Sequence, residues 1–412
     1  ELGPCFRRDD IEYGAIPVTD AAIAVPTRSF AVDKLGLLIA ALAAIAAFLP
    51  FAAFRANRIV LGESKGLLAA LPSWEAAILA VLLAAGIAIA LLRTPTLWRL
   101  GTSLVVLALL FVAIGHAGTF LTPPGDKIAR VSPGGGFWLL VFAFALLAAD
   151  AIARLKLTPW TRIGVLAAVA LFFAVLLGSG TLNDLSILRE YANRGDTFWR
   201  EAQTHLALAL GSLAAATVAG IPIGVLCQRS DAWRAPVLNV LNAIQTIPSI
   251  ALFGLLIAPL AWVAANIPGA SAVGISGIGA APAMVALFAY SLLPVVDNTV
   301  VGLDGVPPAA NDAAKGMGMT DWQRLTTVEF PLAFPVILTG IRIVLVQNIG
   351  LATIAALIGG GGFGVFVFQG VGQTAMDLVL LGAVPTVALA FAAAVVLDAI
   401  VEMVSPKDTR RD

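Results

Sequence analysis

Long apolar runs separated by short polar segments dominate the chain. A helix needs about 20 predominantly apolar residues to cross the hydrocarbon core of a bilayer. By that rule the pattern predicts ten transmembrane helices, at about residues 35–54, 75–92, 98–116, 137–154, 161–179, 204–227, 236–263, 281–303, 333–357 and 378–403. The run 236–263 contains Pro248 and Pro259, so it is either one kinked helix or a helix followed by a re-entrant segment. The sequence therefore predicts an all-α integral membrane protein.

Composition supports a bilayer environment. Of the 412 residues, 59% are hydrophobic and 12% are charged, against about 25% charged in soluble domains. The formal net charge is zero, which argues against nucleic acid as a partner. Cys5 and Cys227 lie far apart, so we expect neither a disulfide framework nor a metal site. The polar N-terminus precedes an apolar run long enough to span, so we expect no cleavable signal peptide.

Lysine and arginine in the loops predict the orientation. Ten spans put both termini on one side, which carries sixteen of these residues against eight on the other, with Arg342 inside a span. The richer side is expected to be cytoplasmic. A polar outer segment separates two five-span halves. We expect a cytoplasmic N-terminal segment at 1–34, an accessory bundle at 35–180, an extracytoplasmic linker at 181–203, a transport core at 204–404 and a cytoplasmic tail at 405–412.

The loop at 304–331, between two spans of the second half, is the most distinctive polar segment. Met319, Trp322, Leu325 and Val328 recur at a spacing of three, which predicts a short helix with an apolar stripe to bury in a partner. Gly318 suits a tight turn with positive φ. We expect Pro331 to end the loop and permit the next membrane helix to start. An ordinary amphipathic loop is the alternative.

The residues of this loop fit the pattern acidic-Ala-Ala-x3-Gly-x9-aliphatic-x-apolar-Pro. That pattern resembles the cytoplasmic coupling loop of permease subunits in binding-protein-dependent ABC importers, where a short helix sits in a groove of a separate ATPase. The resemblance implies a type I importer core of five helices at 204–404 in a bacterial inner membrane. The residues that it assigns to ATPase coupling are Asp312, Ala313, Ala314, Gly316, Gly318, Trp322, Leu325 and Pro331.

The same resemblance implies the partners: two ATPase subunits, a soluble substrate-binding protein, and a second permease that is either a copy or a paralogue. No GxxxxGK[ST] motif occurs in the chain. We therefore expect this chain to be no enzyme and to bind no cofactor of its own, with ATP and Mg²⁺ held by the ATPase.

Three further segments narrow the resemblance. Residues 245–252, residues 290–302 and residues 348–353 resemble segments of permeases for quaternary-amine osmoprotectants such as glycine betaine, choline and carnitine. Asp297 departs from the pattern, since a basic residue is expected there. The first five spans resemble only a longer subset of that family. The resemblance assigns the translocation pathway and gate to Gln245, Thr246, Pro248, Asn298, Arg342, Asn348, Gly359, Gly361 and Gly362.

The loop 359–364 contains a formal GxGxxG. It lacks the preceding strand and the well-spaced acid of a dinucleotide site, so we interpret it as an outer-side loop that allows close helix approach or hinge motion. Arg342 and Asp297 either pair at the inner gate or snorkel separately. Asp398 and Glu402 share one helix face and favour an interfacial role. His116 and His205 are expected to be interfacial or packed.

These observations favour uptake of a small solute, most simply a quaternary amine such as glycine betaine or choline. Aromatic residues are too scattered to predict a cation–π cage, so we expect an external binding protein to supply most of the selectivity. The main alternative is a secondary transporter driven by an ion gradient, which predicts inverted repeats that the two halves do not display. A membrane-embedded enzyme would need a catalytic cluster, and only isolated residues appear.

Overall fold

The computed structural model describes residues 33–57, 60, 62–126 and 128–405. The predicted N-terminal segment and the predicted tail therefore lie almost wholly outside the described residues. The α-helices are Lys34–Phe48 (α1), Leu67–Ala70 (α2), Ser73–Leu91 (α3), Thr96–Leu121 (α4), Gly135–Leu155 (α5), Pro159–Gly178 (α6), Ser186–Arg229 (α7), Asp231–Thr246 (α8), Ser249–Asn266 (α9), Ala280–Asp304 (α10), Pro308–Gly316 (α11), Asp321–Arg324 (α12), Phe330–Leu351 (α13), Gly364–Gly372 (α14) and Met376–Val404 (α15). Among the described residues, nine helices are long and apolar enough to cross a membrane.

Two predicted spans differ from the observed helices. The first span ends early, because α1 stops at Phe48 ahead of Pro50 and the chain then becomes extended. The run 236–263 is divided into α8 and α9 at Ile247 and Pro248. Pro248 has no N–H to donate and disfavours a helical residue before it, which ends α8. Of the two forms that the sequence left open, a single kinked helix is therefore wrong.

A small antiparallel sheet lies beside the accessory helices and was not predicted. Its strands are Ala52–Arg55 (β1), Glu63–Lys65 (β2) and Arg130–Pro133 (β3), in the order β2-β1-β3. A Cβ at Gly134 would lie 2.1 Å from the backbone oxygen of Pro50, so only glycine fits after β3. Strands of three or four residues are too short for an alternating pattern to reveal them.

The accessory half packs around one continuous apolar cluster. That cluster joins α1, α3, α4 and α5 to the sheet and to the start of α7. Phe137 is 1% exposed and makes edge-to-face contacts with the rings of Phe51, Phe111 and Trp138. The helix α6 contributes less to this cluster, through Leu176, its one buried residue, and Phe172, and it packs mainly along α15.

The second half is organised around three helices, α7, α10 and α13, which pack against one another. Their close approach depends on glycine, as is typical of membrane helices. A Cβ at Gly224 of α7 would lie 2.5 Å from Cβ of Thr299 in α10. A Cβ at Gly340 of α13 would lie 2.7 Å from Cβ of Asn298 in α10.

The helix α7 connects the two halves. It has 44 residues with a kink at Arg194, where φ is −133° and ψ is 23°. At 1.5 Å per residue its length is about 66 Å, roughly twice the thickness of a hydrocarbon core. Its N-terminal part therefore extends beyond the membrane. The segment 181–203, predicted as a linker, is thus largely helical and continuous with the first span of the second half.

Candidate coupling segment and the helices that it contacts

The coupling segment, residues 304–331, begins with a short amphipathic helix. Proline at the start of α11 supplies a fixed φ where no amide partner is needed. Ala314 is buried, whereas Asp312, Ala313 and Lys315 are exposed. The helix ends in a turn at Gly318, whose φ is 77°. The prediction of positive φ at Gly318 is confirmed, and open space around it means that backbone conformation, not crowding, requires glycine there.

A second helix, α12, begins at Asp321, and the helical chain does not break at Pro331, where the sequence predicted the loop to end. The Thr320 hydroxyl accepts from the amide of Gln323, and the Gln323 side chain accepts from the amide of Thr320, which is a capping box. From Asp321 the chain stays helical through a π-helical turn, Leu325–Glu329, into α13. Pro331 therefore lies inside a continuous helix and does not begin one. The wider π turn accommodates the missing amide and the bulk of the proline ring.

The predicted stripe of Met319, Trp322, Leu325 and Val328 does not lie on one face. Trp322 is 72% exposed, as is the neighbouring Met317 at 70%. Leu325 instead packs against a buried cluster that includes Leu303 and Ala333. The turn at Gly318 and the π turn shift the side-chain register. Trp322 therefore points to the surface, whereas Leu325 points to the interior. What remains on the surface is Met317, just after α11, and Trp322, in α12, both of them exposed.

A buried charge network attaches this segment to α7. Glu329 is 4% exposed. Its carboxylate accepts from Nε of Arg324 at 2.8 Å and from the guanidinium of Arg229, the last residue of α7. Arg324 also lies 2.9 Å from Asp321. The sequence analysis missed this network. A lone acid in an apolar stretch was the available signal, but its partner is 100 positions away.

The break between α8 and α9 is held by α10. Gln245 Nε2 donates to the backbone oxygen of Tyr290 at 2.9 Å, and the Tyr290 hydroxyl donates to the backbone oxygen of Ile247. The carbonyl freed where α8 ends is thus satisfied by a side chain. Gln245 contacts a neighbouring helix, whereas Thr246 and Pro248 are exposed.

A buried amide joins the three central helices. Asn348 in α13 donates from Nδ2 to Ser212 Oγ in α7 at 2.8 Å and to Ser291 Oγ in α10 at 2.9 Å. All three side chains are fully buried. Polar groups in this setting must find partners within the protein, and the network supplies them. Ser212 was not predicted as a site residue.

The glycine loop closes tightly on α7. Gly359, Gly361 and Gly362 all have positive φ. The amide of Gly362 donates to Glu201 Oε2 at 2.8 Å, and a Cβ at Gly361 would lie 2.9 Å from the same oxygen. Fully buried His205 packs against the ring of Phe363, with centroids 5.0 Å apart. The loop thus permits close approach, one of the two roles that the sequence analysis gave it.

The proposed pairing of Arg342 with Asp297 is wrong. Arg342 lies 2.7 Å from Asp398, because α13 packs against α15 on that side. Asp398 also lies 2.8 Å from Arg162 in α6, whose guanidinium contacts Glu402 as well. Asp297 is exposed and makes no ion pair with any residue that the structure describes. Asn298 donates to the backbone oxygen of Pro294 and lies against Gly340.

Comparisons with known proteins identify both halves. Residues 33–188 match the family model "ABC transporter permease YehY, N-terminal domain", and residues 220–409 match "Binding-protein-dependent transport system inner membrane component". The osmoprotectant import permease protein OsmW of Salmonella typhimurium is 42% identical over 206 residues, which are 50% of this chain and 91% of OsmW. The chain belongs to the family of inner-membrane permease components of binding-protein-dependent transport systems.

One further relative and one solved structure are also similar to part of this chain. The glycine betaine/carnitine/choline transport system permease protein OpuCB of Bacillus subtilis is 35% identical to the permease over 215 residues, 52% of this chain and 91% of OpuCB. An inward-facing structure of the MetNI methionine ABC transporter has a TM-score of 0.45 and 23% identity, covering 51% of this chain and 97% of that chain. Half of the permease thus has no counterpart in the alignment with OsmW. The accessory bundle carries a family match of its own, at residues 33–188.

Proposed function

We propose that this permease carries a quaternary-amine osmoprotectant, such as glycine betaine or choline, across the inner membrane in an importer driven by a separate ATPase. The relatives named for osmoprotectants, glycine betaine, carnitine and choline support the substrate class. A soluble binding protein delivers the solute, and a second permease, a copy or a paralogue, completes the passage. Both termini lie in the cytoplasm, as the loop charges favour.

The observation that carries the proposal is the exposed pair Met317 and Trp322 on the coupling segment. Large exposed apolar side chains on an otherwise polar loop are typical of a docking contact, and tryptophan is a frequent anchor in protein interfaces. Asp312 and Lys315 flank the pair with polar surface. We infer that a groove of the ATPase receives this face.

The connections of the coupling segment supply a route for the motion. Trp322 lies on the helix that continues without interruption into α13. Glu329 joins the same helix to Arg229 at the end of α7. A displacement of the docking face therefore acts on two of the three central helices, and the Asn348 network connects both to α10. In this proposal, ATPase closure changes how these helices pack and so which side of the passage is open.

The proposed passage runs beside α8 and α10. Asp297 presents an exposed carboxylate on α10, which is costly at membrane depth unless it faces water or a partner, and Thr246 is exposed at the end of α8 with its hydroxyl donating to the backbone oxygen of Ala243. A second permease facing this side would enclose them. Gln245, Asn298 and Asn348 instead contact neighbouring helices. In this proposal they affect the pathway by positioning those helices, not by lining it.

The test is uptake by proteoliposomes that contain the permease and its ATPase, with ATP trapped on the ATPase side and the binding protein outside. Labelled glycine betaine and choline are the substrates. Trp322→Ala removes the anchor, and Trp160→Ala is the matched control because Trp160 is 73% exposed on α6, outside the coupling segment. Losing an anchor of this kind costs about 2 kcal/mol, roughly a thirtyfold weaker ATPase contact.

We expect uptake that requires both ATP and the binding protein, is lost in Trp322→Ala and is retained in Trp160→Ala. Stimulated ATP hydrolysis without amine uptake would support an ATP-driven importer but reject quaternary amines as its substrates. Uptake that follows an imposed ion gradient without ATP would favour the secondary-transporter alternative and contradict the proposal.

A further inference from the structure

A cavity of about 380 Å³ opens at one end of the accessory bundle, where α1 begins, α3 passes into α4 and α5 ends. Its lining consists of Asp33, Arg93, Thr94, Thr96, Arg99 and Arg154. Three of these side chains are guanidinium groups and one is a carboxylate, and a second carboxylate, Asp150, lies 3.6 Å from Arg99 and 2.8 Å from Arg154. The cavity is therefore positively charged, and it plays no part in the function proposed above.

Arg99 forms the fixed wall of the cavity. It is 3% exposed, contacts Asp33, and donates to the backbone oxygens of Ala90 at 2.9 Å and Leu92 at 3.3 Å. Its Nε has no hydrogen-bond partner among the described residues. Burial raises the pKa of Asp33, but hydrogen bonds from Arg99 and from the Leu35 amide outweigh it and lower that pKa, so Asp33 stays ionised. Arg99 is thus largely neutralised within the fold.

Of the remaining cationic groups, Arg93 is free for a ligand and Arg154 is partly so. Arg93 is exposed and makes no ion pair or hydrogen bond with any described residue. Arg154 is 52% exposed; its Nε donates to Asp150 at 2.8 Å and another guanidinium nitrogen lies 3.9 Å from Asp33, which still leaves part of the guanidinium open. The helix α4 begins at Thr96 without a side-chain cap, so its first amides are also available to an anion.

The cavity lies at the level of the lipid headgroups. Trp98, one residue before Arg99, is 67% exposed, and Trp160 at the start of α6 is 73% exposed. Exposed tryptophan is typical of the membrane–water interface. Arg162, one turn into α6, contacts the C-terminal end of α15. The cavity is therefore at the same end of the protein as the coupling segment.

We propose that this cavity binds a phosphate group, supplied by an anionic phospholipid of the surrounding leaflet. Arg93, Arg154 and the first amides of α4 hold the phosphate, and Arg99 supports them from below. Leu37 and Leu97, on the first turns of α1 and α4, are 61% and 69% exposed and offer apolar surface to the acyl chains. Basic pockets between membrane helices on the cytoplasmic side are suited to such headgroups. Free phosphate shares the chemistry and is the other possible source.

The test measures phosphatidylglycerol bound to the purified complex of permease and ATPase in neutral detergent, by native mass spectrometry. The variants are Arg93→Gln and Arg154→Gln. The matched control is Lys34→Gln, which removes one exposed cation at the same end of the bundle but outside the cavity lining. Each arginine variant should weaken phosphatidylglycerol binding about fivefold, and the control should not change it. Arg93 has no partner among the described residues, so its replacement leaves the fold intact.

Competition distinguishes the two sources. Phosphatidylglycerol that persists in millimolar inorganic phosphate, and that exceeds bound phosphatidylcholine, supports a lipid headgroup. Inorganic phosphate that binds alone, with the same dependence on Arg93 and Arg154, supports a soluble phosphate in the same site. Equal loss in Lys34→Gln would mean general surface attraction and overturn the proposal, as would unchanged lipid binding in both arginine variants.

Discussion

The two halves of the permease differ in how their interiors are built. The accessory bundle has one continuous apolar cluster, and its buried polar contacts lie at its two ends, at Arg99 and at Ser132. The transport core instead has several smaller apolar clusters. Between them lie buried polar groups, above all Asn348 and Glu329. The first half resembles a single packed block, whereas the second is divided into segments.

This difference fits different tasks. Close-packed interiors do not deform gradually, so helices that must shift need boundaries along which they can slide. In the core such boundaries are lined with hydrogen bonds and glycine contacts, which specify particular registers. The accessory bundle also has close glycine contacts, such as Gly36 against Ala90 and Gly86 against Phe144, but its apolar cluster is continuous, which indicates that it packs as one unit. The start of α7 packs into this cluster, so the bundle and the transport core share that helix.

The largest expected effect tests whether the accessory bundle behaves as a single packed unit. Phe137→Ala removes a fully buried ring with three aromatic neighbours, at a cost of about 4 kcal/mol. A loss of that size lowers the melting temperature of a unit this large by on the order of 10 °C. We expect ATP-driven uptake below that temperature to persist. Phe142→Ala on the same helix is the control, since Phe142 is 54% exposed. Abolished uptake with unchanged melting would mean that the bundle takes part in transport directly.

The second effect tests the segmented half. Glu329→Gln keeps the side chain's shape but leaves Arg229 and Arg324 without their shared carboxylate. Removing one partner of a buried ion pair costs about 3 kcal/mol. We expect uptake to fall more than the melting temperature alone explains, because the contact between α7 and the coupling segment is lost. Asp321→Asn is the control, since its carboxylate is exposed and contacts Arg324 alone. A variant that melts earlier but transports normally would make Glu329 merely structural.

Hydropathy predicted the helices of both halves because a span of apolar residues reports its environment directly. It could not predict the sheet, whose strands are three or four residues long, nor the boundary at Phe48. The positive φ at Gly318 was predictable, since it depends on local backbone geometry. These successes all concern properties that a residue has within its own segment.

The failures concern partners distant in sequence. A pairing of Arg342 with Asp297 was one of two alternatives, because they flank one loop, yet Arg342 contacts Asp398. The carboxylate of Asp377 accepts from Ser132 and Ser186, a contact between the halves that no local pattern predicts. The apolar stripe of the coupling segment failed because a π turn changed the register. Which helices lie side by side decides such contacts, and one sequence does not contain that information.

A third effect concerns the turn in the coupling segment. Gly318→Leu forces a side chain into a left-handed conformation at a cost of about 1–2 kcal/mol. The space around Gly318 is open, so the fold remains and the direction of α11 changes. We expect binding-protein-stimulated ATP hydrolysis to lose its link to uptake, with little change in melting. Gly254→Leu is the control, because Gly254 lies in α9 with equally open space and an ordinary helical φ. Normal coupling in Gly318→Leu would remove this turn from the mechanism.

The smallest effect tests the contact between the halves themselves. Arg162→Gln releases α6 from Asp398 and Glu402, an exposed network worth about 1 kcal/mol or less. Arg234→Gln removes a comparable pair with Asp304 inside the core, also at 2.8 Å. Spin labels at Val169 and Val387, on the exposed faces of α6 and α15, report the separation. We expect its distribution to broaden in Arg162→Gln and to stay narrow in Arg234→Gln. An unchanged distribution in both would mean that apolar packing alone holds α6, and the halves would then be joined mainly through α7 and Asp377.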